Sequence, residues 1–217
     1  MLFGVTAGRK KRRHVRQYFQ QVFGKLCFAP WLPYPLGLRA SAAWVSFLLR
    51  KRMARDRPER IHFVLYIGGG ILLRLLYGRG ERWPIGRTVW NRGPLQERVA
   101  KTLCSRVPRL VLTLIGYRSI VDLAGLNPKD LTFPPSPAGA GLIVETKSSA
   151  LAQRLGIDEA SLDLSQELLC ELLPDARDRI ALPLSHDEIY EDRAFLDQAA
   201  AFLQTGSFQA VENGTTG

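Results

Sequence analysis

The sequence predicts a mixed α+β protein, mostly helical, with a basic front domain carrying a short sheet and a small acidic helical unit behind it. Three observations predict it. Charge is divided between the two halves of the chain. Apolar residues recur at helical spacing along most of it, with only short runs of β-formers between. A Pro/Gly-rich stretch falls where the charge changes sign. The chain has 217 residues, 46% hydrophobic and 23% charged, a composition that suits a folded protein with a real core.

The charge asymmetry is the strongest signal. Residues 1–118 hold 24 Lys and Arg against 4 Asp and Glu, a net of +20. Residues 119–217 hold 6 against 16, a net of −10. The whole chain is therefore +10, and 23 of its 30 cations are Arg. Arg offers a planar fork to phosphate and stacks on flat rings, which Lys does not. The expected organisation is a basic domain over residues 1–130, a linker or long loop over 131–141, an acidic helical unit over 142–205 and a disordered tail over 206–217.

The elements follow in order. Residues 12–28 predict a helix, because Val15, Tyr18, Phe19, Val22, Phe23 and Leu26 form one stripe at helical spacing. The proline run 30–35 ends it. Residues 41–55 predict a second helix, with Ala42, Val45, Leu48 and Leu49 on one side and cations in its last turn. Residues 61–67 are rich in β-formers and predict a buried strand. Gly68, Gly69 and Gly70 predict a turn, followed by a short helix over 71–77.

Residues 78–93 read as a loop crowded with cations and rings. A helix is expected over 95–107 and a strand over 110–115. Beyond the Pro/Gly stretch 132–141, a short strand is expected at 142–145 and helices at 149–155, 159–173 and 187–204. Ser185 and Glu188 have capping-box spacing for the last of these, and Gly206 supplies its stop.

Several function classes find no support. Cys27, Cys104 and Cys170 are far apart and odd in number, so they predict reduced thiols rather than disulfides or a zinc site. The start of the chain has no continuous apolar core of the kind a secretory signal needs. Three apolar stretches, 27–49, 61–77 and 107–126, are each interrupted by Arg, Pro or Asp, and charges in a span are costly. No His-x-x-x-His or His-Glu-x-x-His spacing occurs, and no nucleophile has a recognisable context. Neither a cofactor nor a metal is expected.

The function read from these residues is non-catalytic nucleic-acid binding, to RNA or to DNA, by a cytoplasmic accessory protein. Arg12, Arg13, Arg16, Arg52, Arg55, Arg82, Arg87 and Arg92 are the expected phosphate ligands, and Trp83 and Trp90 the expected stacking platforms. The acidic helices are expected to meet a protein partner or to gate the basic face. Residues 152–161 resemble the turn of a helix-turn-helix. The helix after it, however, would bring Asp158, Glu159, Asp163, Glu167 and Glu171 to phosphates, so packing or protein contact is the preferred reading.

Two alternatives come from other classes. One is a membrane-associated protein, anchored by the basic amphipathic helix and an apolar segment. The other is an enzyme on a phosphorylated substrate, with Gly68–Gly70 and Arg74 approaching the phosphate. An Arg-rich front with few acids also fits a mitochondrial address in a eukaryote.

Overall fold

The computed structural model describes residues 8–24, 27–66, 68–91, 96–126, 136–148, 150–154, 176–185 and 187–209. In chain order these form α1 (Arg9–Phe23), a 3-10 turn (Tyr34–Leu36), α2 (Leu38–Asp56), β1 (Ile61–Tyr66), α3 (Gly68–Gly78), β2 (Ile85–Asn91), α4 (Gln96–Arg106), α5 (Arg109–Leu114) and α6 (Arg118–Ala124). They continue with β3 (Ala140–Lys147), α7 (Ala150–Arg154), β4 (Ala176–Ser185) and α8 (Arg193–Thr205).

The four strands make one sheet in the order β1-β2-β3-β4, with every neighbouring pair parallel. Parallel strands need helical crossovers, and those crossovers cover the sheet. The strands accordingly read as near-continuous apolar runs whose alternate residues enter two different cores. Phe63, Leu65, Trp90, Leu142 and Val144 face a core built with α2, α3 and α6. Val64, Tyr66, Val89 and Ile143 face a second core built with α1 and α8. The molecule is thus three layers, helix on sheet on helix.

Residue chemistry sets the close approaches between layers. Gly70 lies in the first turn of α3, and a Cβ there would lie 2.8 Å from the Trp90 ring. Gly141 on β3 is approached by the rings of Phe202 and Phe208, each 2.7 Å from where a Cβ would stand. Fully burying a Leu or Phe side chain contributes about 1.5–3 kcal/mol, and both cores are dense in such residues. Helix ends are also tied across the fold. The Asp122 carboxylate of α6 accepts the Leu38 N–H at the start of α2, at 2.9 Å, and Asp192 caps α8 by accepting the Phe195 N–H at 2.9 Å.

Several expectations need correction. The sheet does not belong to the basic half. β2 from that half pairs with β3 from the other, so one sheet spans the expected domain boundary. Residues 78–93 contain β2, where Ile85, Thr88, Val89 and Trp90 outweigh the Arg and Gly that suggest a loop. Residues 110–115 lie mainly in α5, which Pro108 starts and which buries only Leu112.

Gly68–Gly70 form the first turn of α3, not a free turn. Residues 176–185, which lie between two expected helices of the acidic unit and carry no expected element of their own, are β4. Its Pro183 is tolerated because β4 is an edge strand. The Ser185–Glu188 pair is bonded as a capping box, with Ser185 N–H donating to Glu188 at 2.7 Å. It closes a separate turn, and α8 starts only at Arg193. The helix expected at 159–173 and the carboxylates on it lie outside the described residues, as do most of the tail and Cys170. Cys27 and Cys104 are free thiols.

Candidate nucleic-acid interface

Helix α1 carries two chemistries on opposite sides. Its apolar stripe, Val15, Tyr18 and Phe19, is buried. Phe19 packs edge-on to Tyr18 at 5.2 Å and stacks on Phe23 at 5.9 Å. The helix is also fastened to the C-terminal region by polar contacts. Lys11 Nζ donates to the Asp187 carbonyl at 2.8 Å and lies 5.3 Å from the Tyr190 ring. The Tyr18 hydroxyl donates to Asp197, and Arg193 lies over the Tyr18 ring while pairing with Asp197 at 3.0 Å. Burial, and after it the bond to Asp197, hold the Tyr18 phenol well above its ordinary pKa.

The outer side of α1 faces a groove. Arg9, Lys10, Arg12, Arg13 and Arg16 line a concavity of about 460 Å³ together with Ala29 and Trp31. Among the described residues that lining holds five cations and no carboxylate. Among the described residues none of the five is within ion-pair distance of an acid. Arg12 is half-buried, and burial, with the charge of Arg9 second, lowers its pKa. A guanidinium so placed is already partly stripped of water beside like charges, a setting that an incoming anion relieves. Trp31 is 55% exposed, and its backbone carbonyl accepts the Trp44 indole N–H at 3.0 Å. Its ring is thus an available flat surface at the groove edge.

The structure brings together three of the expected ligands, Arg12, Arg13 and Arg16, and adds Arg9, Lys10 and Trp31. It sends the others elsewhere. Arg52 pairs with Asp56 at 2.8 Å and lies over the Phe28 ring, and Arg55 pairs with the same carboxylate at 2.6 Å. Arg82 is exposed but folds over the Tyr77 ring and donates to the carbonyls of Tyr77 and Glu81.

Arg87 is a structural clamp. Its guanidinium donates to the carbonyls of Leu203, Gln204 and Thr205, the last turn of α8. Trp90 is 3% exposed, with its indole N–H on Thr88 at 3.0 Å, so it offers no stacking face. Trp83 packs against the core, and Arg92 lies outside the described residues. Trp31 escapes the sequence reading because its proline neighbours draw attention to where the helix ends. The usable signal was that a Trp in an extended proline run has no helix face to bury it.

The other two sequence readings also find their places. Gly68, Gly69, Gly70 and Arg74 are all buried, and Tyr34 and Trp90 close over the glycines. That arrangement explains the small residues by packing. Among the described residues no cluster of His, Cys, Asp and Glu suits a metal ion, and no helix is long and apolar enough to cross a membrane.

No family model matches this chain, and no curated protein matches it. Among solved structures it is similar to the crystal structure of MGS-MChE2, an alpha/beta hydrolase enzyme from the metagenome of sediments from the lagoon of Mar Chica, Morocco. The two are 21% identical over 88% of this chain and 82% of the other, with a TM-score of 0.49.

Proposed function

We propose that the chain binds nucleic acid through the outer side of α1, largely by contacts to backbone phosphates. The observation that carries this reading is the groove of Arg9, Lys10, Arg12, Arg13 and Arg16, whose lining among the described residues has no acid, with the exposed Trp31 at its edge. Cations so placed displace counterions from a phosphate chain, and a ring at the rim stacks on a base without demanding a sequence. The remaining arginines of the front half support the fold or add to the long-range field.

The test is binding of the full chain to fluorescein-labelled oligonucleotides, single-stranded RNA and duplex DNA, followed by anisotropy across a salt series. Each phosphate neutralised on duplex DNA contributes about −0.9 to the slope of log affinity against log salt, so five engaged cations predict about −4.5. Reversing Arg12, Arg13 and Arg16 to Glu is expected to abolish measurable binding. The triple reversal Arg52, Arg55 and Arg82 to Glu weakens it far less. Affinity that is flat in salt, or that follows the second set and ignores the first, removes the proposal.

A further inference from the structure

Helix α5 turns its apolar side outward. Leu110, Val111, Leu114 and Ile115 are 70%, 44%, 76% and 59% exposed, while Leu112 alone is buried. At about 100° per residue these four fall within an arc of about 140°. That is an apolar face pointing away from the core. The patch is extended by Leu36, 72% exposed, because Gly116, just past α5, sits against Pro35. Contiguous exposed apolar surface of this kind marks an interaction site.

The rim identifies the partner. Residues 101–118 contain Lys101, Arg106, Arg109 and Arg118 and no acid. All four cations are exposed, and among the described residues only Arg118 forms an ion pair, with Asp122 at 3.1 Å. Nearby Arg39 is exposed too. A protein partner's apolar surface would cover the patch without needing this one-signed rim. An exposed apolar face in a segment whose only charges are exposed cations matches a bilayer whose headgroups are anionic, with side chains entering the acyl boundary and cations staying at the phosphates.

We infer that α5 and the turn after it form a docking surface for an anionic lipid bilayer, with Leu110, Val111, Leu114 and Ile115 inserted and Lys101, Arg106 and Arg109 at the headgroups. This surface is on a different element from the α1 groove, so its success or failure is separable from nucleic-acid binding.

The experiment is flotation of the full chain with two kinds of vesicle, phosphatidylcholine alone and phosphatidylcholine with about one third phosphatidylserine. The chain is expected to float with the second and not the first. The variant L110D/L114D is expected to lose about tenfold or more in partitioning, with an unchanged circular dichroism melt, since both residues are exposed. The variant R12E/R13E is expected to float nearly as the parent does. The inference is overturned if L110D/L114D floats like the parent, or if only R12E/R13E stops flotation. It is also overturned if the parent ignores phosphatidylserine, or if the parent is a dimer in solution that L110D/L114D converts to monomer.

Discussion

Arg87 shows how one side chain can hold two distant segments. Its fork reaches three consecutive carbonyls of α8 from a position on β2, more than a hundred residues earlier. Those carbonyls are left open at any helix C-terminus and carry partial negative charge. Arg87→Ala is expected to lower stability by about 1.5–3 kcal/mol, the range for hydrogen bonds to a charged group. Arg87→Lys should recover only part of it, since an ammonium lacks the fork. Urea midpoints followed by circular dichroism check both.

Glu81 supports a second residue-scale prediction. The hydrogen bond from Arg50, chiefly, and one from Ser46 hold its carboxyl below the ordinary carboxylate range, against a smaller opposing effect of burial. A lowered folded-state pKa stabilises the fold fully above the unfolded value, near 4.3, and that contribution is lost as pH falls through the folded value. The parent should therefore exceed Glu81→Gln in stability at neutral pH, and the gap should close under acid. Arg87 was visible in the sequence as a cation but not as a clamp, because its partners are backbone atoms of a remote helix. Arg12, Arg13 and Arg16 were legible because their neighbours in sequence are also their neighbours on the helix.

At the scale of elements, legibility followed local periodicity. Helices α1 and α2 were found from their stripes, and β1 from its β-formers. The alternation Phe63, Val64, Leu65, Tyr66 shows why a strand covered on both faces reads as a plain apolar run. β2 and β4 were missed because what makes them strands is pairing with partners far along the chain. Helix α5 was mistaken for a strand because six apolar-rich residues do not distinguish the two periods.

Gly141 offers the test at this scale. Its row in the sheet, Val64, Val89 and Gly141, is where Phe202 and Phe208 reach the strand backbone. Gly141→Ala is expected to destabilise by about 1–3 kcal/mol through overpacking, seen as a lower thermal midpoint. Gly80→Ala at a loop position with open space around it isolates the backbone effect alone.

For the whole molecule, the two electrically opposite halves are one folding unit in the described structure. The core between sheet and outer helices takes Val15, Tyr18, Phe19, Val64 and Val89 from the front half and Ile143, Leu182, Phe195 and Phe202 from the back. A fragment of residues 1–130 is expected to lack a cooperative unfolding transition, because β2 loses its neighbour and α1 loses its cover. Denaturant titration of that fragment beside the full chain decides this. The sequence showed the charge division correctly, but charge follows the chain while packing follows the sheet. Among the described residues none of the five cations of the α1 groove forms an ion pair with a carboxylate, so the groove keeps its field.

The anchoring of α1 on the C-terminal region has a consequence for synthesis. A ribosome releases Arg9–Phe23 well before Arg193–Thr205. Until then the Val15, Tyr18 and Phe19 stripe lacks the Phe195, Leu196 and Phe202 part of its core, and Lys11 and Tyr18 have neither Asp187 nor Asp197 to hold the helix in place. The groove on its far side is therefore held in place only once α8 has docked. A nascent chain stalled before that helix emerges carries all five cations yet cannot present them as a surface.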